Sequence, residues 1–441
     1  MRTPRLARRL IAPLSVLLAG VGLPAWGQNL QGLYDAARAY DAAYLSAKAA
    51  LQAAELRAAQ AEAQQRPSAA LAGNGSVTDA EIPRAGSRDS SSLGATLSGK
   101  YPLFNKATQP AIEQSRKAVQ VSQADLEAAE QDLIVRLSQA YFDVLAAQDA
   151  LATTRASKSA ITEQLASAKR NFEVGTATIT DTREAQARFD LATAQEIAAE
   201  NDLRTKRIAL DQVVGRANVV PAGLAKAAAL PAPMPADAEA WAGQADSGHP
   251  SVRKARLGLE VARLETEKAR AGEAFTVDAV GSASAVRYTG KSSNVPGLNK
   301  VASLGVQLNW PLYTGGATQN RIKETLALET KSSNDLDAAR RAVTQATRQA
   351  YFGVQSGLAQ VTALEAAESS SQLALEATQL GYKVGVRVNL DVLNAQTQLF
   401  QTRRDLAKAR YDVILGGLKL RLASGQLKAG DVAAVNALLE R

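Results

Sequence analysis

The chain contains no cysteine among its 441 residues. Disulfide bonds, thiolate metal sites and a lipid-modified N-terminal cysteine are therefore excluded. Histidine is almost absent as well: the single one, His249, precedes Pro250, where we expect a helix to begin. A structural role for His249 is favoured over a catalytic one.

Aromatic residues are also scarce, at 5% of the chain, whereas alanine occurs throughout. A large core built on aromatic packing is therefore not expected, because aromatic side chains supply most of the apolar area in such cores. Small side chains instead suit helices that approach each other closely.

The first 27 residues have the pattern of a secretory signal peptide. The basic segment MRTPRLARR is followed by the apolar run LIAPLSVLLAGVGL and by AWG, a small-residue cleavage site before Gln28. Removal of this segment takes away four arginines and lowers the formal net charge from +8 to +4. Export and this mild charge argue against nucleic acid as a partner.

No later segment has about 20 consecutive apolar residues, so the sequence predicts no transmembrane helix after cleavage. We expect an exported chain of this kind to be soluble, peripheral or a β-barrel of the outer membrane.

The sequence contains an internal repeat. FEVGTATITDTREAQ at 172–186 returns 210 positions later as YKVGVRVNLDVLNAQ at 382–396. The register holds without a gap over 107–215 against 317–425. A repeat of this length indicates that one structural unit occurs twice.

We therefore predict two repeats, each with a helix, a β-hairpin, a long helix and a return helix. The Ala/Pro-rich segment between them is a linker. The predicted ranges are 1–27 for the signal peptide; 28–229 for the first repeat, with a helix at 29–66, a hairpin at 68–104, a long helix at 107–171 and a return helix at 180–214; 230–240 for the linker; 241–425 for the second repeat, with a helix at about 237–272, a hairpin at 274–313, a long helix at 317–381 and a return helix at 390–424; and 426–441 for a C-terminal equatorial segment.

The lengths of the predicted helices indicate a coiled-coil wall. Each long helix would span about 100 Å, a length typical of coiled coils and not of compact domains. The first helix and the return helix of a repeat, placed end to end, match one long helix. Each repeat can therefore form the same panel.

The predicted strands have one apolar face. In the second repeat Leu304, Val306 and Leu308 alternate with Ser303 and Gln307. Such strands suit a tilted membrane span, but four of them cannot close a barrel, which needs about eight. Open edges in lipid are costly. Either several chains pool their strands in a membrane, which we favour, or the helices cover a small soluble sheet.

This ordered set of features resembles the TolC family of outer-membrane efflux and type I secretion channels. The resemblance rests on the exported N-terminus, the duplicated unit, WPLYTGG at 310–316 and the turn motif at 382–396. It implies a mainly α fold, in which long helical coiled-coil hairpins form an α-barrel. Four membrane strands per protomer would join in a homotrimer as a 12-stranded β-barrel.

The family resemblance also implies location and partners. The protein would lie in the outer membrane, in contact with its lipid, and extend into the periplasm. It would work with a periplasmic adaptor (membrane fusion) protein and an inner-membrane pump, either an ABC or a proton-driven one. The exported substrate would be a protein, by type I secretion, or a small toxic compound.

By the same resemblance, the second turn carries a gate. Asp181 would hold Tyr382 by a hydrogen bond and Arg387 by a salt bridge, and Asp391 would face the narrowest part of the pore. Where the family often has a further aspartate, this chain has Asn394. From the residues alone, both aspartates could instead be N-terminal helix residues that interact with the helix dipole.

Two Val-Gly pairs mark the turns that follow the long helices, Val174-Gly175 and Val384-Gly385. The resemblance implies that they dock the helical hairpin of the adaptor. A glycine at each position also fits a helix C-cap, and the two roles are compatible.

Three other classes of function compete with the channel. An enzyme is not expected, because the sequence shows no metal-ligand cluster, no Gly-rich phosphate loop and no nucleophile with a base; no cofactor or metal is expected either. A periplasmic adaptor would have one helical hairpin flanked by small β-domains, and a purely structural coiled-coil protein would need no membrane-spaced strands. Two gapless copies favour the channel.

Overall fold

Helices dominate the structure, a computed structural model that describes residues 29–82, 86–225, 229–290 and 297–440. The predicted signal peptide, residues 1–27, lies outside these ranges. No helix among them is long and apolar enough to cross a membrane. The helices are α1 (Leu30–Tyr40), α2 (Ala42–Ala63), α3 (Thr108–Glu173), α4 (Ile179–Val214), α5 (Ala238–Gly248), α6 (Pro250–Ala271), α7 (Ala317–Lys383), α8 (Asn389–Ala423) and α9 (Ala429–Asn436).

The long helices α3 and α7 begin and end within two residues of the predicted positions. Each is continuous, and at 1.5 Å per residue each spans about 100 Å. Both end at a glycine in the left-handed region, with φ of 78° at Gly175 and 81° at Gly385. Glycine adopts this conformation without the steric penalty of a Cβ atom, so the sequence fixes where each long helix stops.

The first helical segment of each repeat is broken, although one continuous helix was predicted. The breaks fall at Asp41 and His249, whose ψ angles are 118° and 132°. Asp41 accepts a hydrogen bond from the backbone N–H of Tyr44 at 2.8 Å, and Nδ1 of His249 accepts one from Ser251 at 3.1 Å. Pro250 also disfavours a helical conformation at the preceding residue. The predicted helix start at Pro250 is thus confirmed, whereas the prediction of one unbroken helix in each repeat was wrong.

The largest apolar core lies where α1 and α9 meet the middle of α3 and the ends of α4 and α8. The ring of Phe142 stacks on that of Tyr411 at 5.7 Å, and the hydroxyl of Tyr141 donates to the carbonyl of Ala222 at 2.7 Å. The chain end returns to this core, because Leu439 forms a β-bridge with Leu224. α5 begins at Ala238, so the last residues of the predicted linker are helical.

The four strands form one antiparallel sheet in the order β1-β2-β3-β4. They correspond to the two predicted hairpins, 68–104 and 274–313, and continue through polar residues on both sides of 83–85 and 291–296, which are outside the described ranges. The strands are β1 (Ser68–Ile82), β2 (Gly86–Asn105), β3 (Thr276–Gly290) and β4 (Gly297–Asn309).

One face of this sheet is apolar and open. Leu304 is 91% exposed and Val77 is 85% exposed. Strands pack against strands and helices against helices, so no described helix covers the sheet. The alternative of a small soluble sheet buried under the helices is therefore wrong.

The elements of the chain lie side by side in a panel with three levels. In the sheet the order is β1-β2-β3-β4. Among the helices nearest the sheet, α3 packs between α2 and α6, and α6 packs on α7. Towards the turns, α3 packs between α4 and α8, and α8 packs on α7. At every level one edge belongs to the first repeat and the other edge to the second.

Candidate functional site at the helical tip

The two turns at the far end of the helices have the same backbone geometry. Gly175 N–H donates to the carbonyl of Phe172 at 3.0 Å, and Gly385 N–H donates to that of Tyr382 at 3.1 Å. Val174 and Val384 project from these turns and are 72% and 66% exposed. The tip therefore presents two similar apolar points to its surroundings.

Asp181 closes the N-terminus of α4 with a reciprocal capping box. Its Oδ2 accepts from the backbone N–H of Thr178 at 2.9 Å and from the Thr178 hydroxyl at 2.7 Å. In return, Thr178 Oγ1 accepts from the Asp181 N–H at 3.2 Å. Within the protomer Asp181 is thus a helix-capping residue, the role that its sequence position alone allowed.

Asp391 is held less firmly at the start of α8. The residue equivalent to Thr178 is Val388, which has no hydroxyl, so only its backbone N–H reaches Oδ2 of Asp391, at 3.4 Å. The Arg387 guanidinium lies 3.6 Å from the same oxygen. Such an exposed ion pair contributes little stability, so the carboxylate of Asp391 is free to reorient.

Tyr382 bonds to a residue other than the predicted one: its hydroxyl accepts from the side-chain amide of Asn171 at 3.2 Å. The predicted contacts of Asp181 with Tyr382 and Arg387 are therefore not formed within the described protomer. One reason is local, since the Asp181 carboxylate is turned back onto Thr178. The other is the fold, since α4 and α7 lie at opposite edges of the panel.

Two further contacts join the repeats near the tip, and sequence reasoning missed both. Arg188 on α4 donates to Oδ1 of Asn394 on α8 at 3.0 Å, and the Gln164 side chain donates to that of Asn389. The repeat register places Arg188 one helical turn beyond Glu184, the equivalent of Asn394. That register gives positions along the helices and no information on which faces meet.

The described part of the chain has no group of three or more acidic or histidine side chains arranged to hold a metal ion. The side chains at the tip can form hydrogen bonds and ion pairs between helices, and these interactions can be made and broken as the helices move.

Comparison with known proteins identifies the architecture. The family model for the outer membrane efflux protein matches residues 33–216 and 241–426, one match in each repeat. The outer membrane protein TolC of Vibrio cholerae serotype O1 is 32% identical over 435 residues, which cover 97% of this chain and 97% of that protein. The alkaline protease secretion protein AprF of Pseudomonas aeruginosa is 33% identical over 357 residues, with 79% and 73% covered.

A solved structure shares the fold. The outer membrane protein VceC from Vibrio cholerae superposes with a TM-score of 0.73 at 19% identity, over 90% of this chain and 96% of that chain.

These matches extend over both repeats and confirm the family resemblance drawn from the duplicated unit and the turn motif. They do not favour the periplasmic adaptor. The chain belongs to the outer membrane efflux protein family, and it is an outer-membrane efflux or secretion channel of the TolC type.

Proposed function

We propose that three copies of this chain form one continuous tunnel through which substrates cross the periplasm and the outer membrane. The observation that carries the proposal is the order of elements in the panel. At each of its three levels a protomer has one open edge from the first repeat and one from the second. Edges of this kind join head to tail around a symmetry axis.

The sheet sets the number of copies. Four strands leave β1 and β4 as open edges, which are costly in lipid because their backbone groups are unpaired. Two copies would give eight strands, whose interior side chains fill the barrel. Three copies give twelve strands and the first open lumen, with the exposed leucines of the outer face against lipid.

The same closure brings α7 of one protomer beside α4 of the next. Asp181 uses Oδ2 for its cap, and Oδ1 accepts no bond from the described part of its own chain. Oδ1 is therefore the atom that meets Arg387 of the neighbouring protomer in the closed ring. Together with Tyr382, Asp391 and Asn394, these residues form the constriction at the tip.

The exposed turns are the docking points for the periplasmic adaptor. Val174-Gly175 and Val384-Gly385 offer two similar apolar knobs per protomer, to which a helical hairpin can fit. An inner-membrane pump, ABC or proton-driven, supplies the energy, and the tunnel itself catalyses no reaction. Relatives include a protease secretion protein and an efflux protein, so both proteins and small toxic compounds are candidate cargo.

Two measurements test this proposal. The mass of the full chain is measured in detergent, and its conductance is recorded in planar bilayers. We expect a trimer that inserts and conducts ions. A monodisperse monomer that conducts equally well would overturn the threefold closure. Co-purification with adaptor should be lost when Val174 and Val384 are both changed to Asp, whereas the trimer should persist.

A further inference from the structure

We propose that Arg188 is a positioning residue of the gate, and that it fastens α8 of the second repeat to the first repeat through Asn394. The inference rests on the proposed gate, because it assigns the contact that keeps that gate closed within each protomer.

The geometry of the panel makes this contact a clasp. α4 and α8 lie on either side of α3, and they touch each other only lightly. Arg188 crosses this groove, so that its Nη2 lies 3.0 Å from Oδ1 of Asn394. The contact is about 10 Å above Asp181, two helical turns along α4. A movement of α8 away from α4 therefore breaks it.

Other interactions between the repeats lie close by and are uncharged. Asn171 donates to the Tyr382 hydroxyl at 3.2 Å, and Gln164 donates to Asn389. Of these three contacts only the one from Arg188 has a charged donor, and a hydrogen bond to an ionised partner is about twice as strong as a neutral one. The Arg188 contact is therefore expected to contribute most to the closed state.

Asn394 limits the strength of this clasp. An aspartate at this position would form an ion pair with the guanidinium, and Arg–carboxylate pairs often form two parallel hydrogen bonds. The neutral amide offers one acceptor oxygen and holds α8 less tightly. We infer that Asn394 allows the gate to open at a lower cost than an aspartate would.

Resting conductance of the trimer in planar bilayers tests the clasp. Arg188→Gln should raise the resting conductance by about threefold, because a solvent-exposed charged contact contributes less than about 1 kcal/mol to the closed state. Arg183→Gln is the matched control, because Arg183 is an exposed arginine on the same helix near the same tip. Asn394→Asp should lower the resting conductance, and it should no longer do so in the Arg188→Gln background.

The outcomes separate this inference from the proposed function. If the wild-type trimer conducts, but Arg188→Gln and Arg183→Gln have the same resting conductance, the clasp is overturned and the channel stands. The clasp is also overturned if Asn394→Asp acts equally with and without Arg188. A wild-type chain that forms no conducting trimer overturns the tunnel itself. Trimer yield is measured for every variant, and Arg188→Lys should restore part of the closure if the contact is electrostatic.

Discussion

Asp181 and Asp391 occupy equivalent positions in the two repeats, yet their surroundings differ. Asp181 accepts two hydrogen bonds from Thr178, whereas Asp391 has one long contact with Val388 and an exposed ion pair with Arg387. The backbone of the two turns is the same, so the difference comes from two side chains: Val388 lacks the hydroxyl of Thr178, and Arg387 occupies the position that Ala177 has in the first repeat. Duplication preserved the cap in one copy and released the carboxylate in the other.

A motif that is repeated in sequence therefore differs in its side-chain contacts between the two copies. The first tip is ordered by its own side chains. The second tip carries side chains, Tyr382 and Arg387, that have Phe172 and Ala177 as their counterparts in the first. Exchanging residues between the two copies therefore tests whether these side chains account for the difference between the two tips.

The largest effect is expected when the second tip is made to resemble the first. Tyr382→Phe combined with Arg387→Ala should raise the resting conductance, because each lost contact costs the closed state on the order of 1 kcal/mol, and the three protomers of the proposed trimer would multiply the loss. Planar bilayer recording gives the result. Lys383→Ser, a charge removed from the same turn, is the control. Equal conductance of the double variant and wild type, at normal trimer yield, would exclude this latch.

A second effect concerns the two aspartates themselves. In the proposed trimer three Asp391 carboxylates would surround one axis, and their mutual repulsion would favour a multivalent cation. Asp391→Ala should therefore weaken block by a trivalent cation on the order of tenfold or more. The block should also weaken as salt rises, since the Debye length is about 10 Å at 0.1 M. Asp181→Ala should leave the block constant unchanged. Single-channel recordings with the trivalent cation titrated on each side of the membrane measure the block. Equal block in wild type and Asp391→Ala would show that Asp391 caps α8 and does not line the constriction.

A smaller effect follows from exchanging the caps. Thr178→Val should destabilise the start of α4 by about 1 kcal/mol, the usual loss on removing a capping hydroxyl. Val388→Thr should stabilise the start of α8 and engage the Asp391 carboxylate, so it should weaken the cation block slightly. Hydrogen exchange at the two helix starts measures both changes. The comparison fails if the two substitutions shift exchange in the same direction.

The smallest effect concerns the other pair of equivalent caps, Asp41 and His249. Burial lowers the pKa of His249, and the nearby charge of Glu127 partly offsets this shift. Only the neutral imidazole ring can accept the hydrogen bond from the backbone N–H of Ser251. The stabilisation is therefore complete above the unfolded pKa of about 6.5 and is lost as pH falls through the lower folded value. His249→Asn should cap at every pH and flatten the thermal stability of the trimer between about pH 7 and 5. An unchanged pH profile would show that His249 does not titrate with unfolding.

Much of the fold follows from local pattern. The bounds of α3 and α7 depend on helical periodicity and on Gly175 and Gly385, which are properties of neighbouring residues. The helix start at Pro250 was predicted from the proline, whereas the break at Asp41 has no proline and was missed. The strands were recognised from alternation, but their extension into polar loops depends on pairing with a partner strand.

The candidate site was harder to predict because its contacts are between helices. The sequence placed Asp181, Tyr382 and Arg387 at one end of the molecule, and the structure agrees with that placement. It did not show that Thr178 would occupy the Asp181 carboxylate, or that Asn171 would reach Tyr382. A pairing between helices depends on their rotation and axial offset, and a small change in either exchanges one partner for another.

The duplication, the element types, the two glycine turns and the apolar face of the strands follow from the sequence alone. These features arise from interactions within about one helical turn or from strand alternation, which chain order encodes directly. The packing of α4 and α8 on either side of α3 is a property of the tertiary structure. It brings Arg188 to Asn394 across a groove, although the two residues are 206 positions apart in the chain. That contact exists because packing side chains fix the helices in one register, and no local pattern specifies the register.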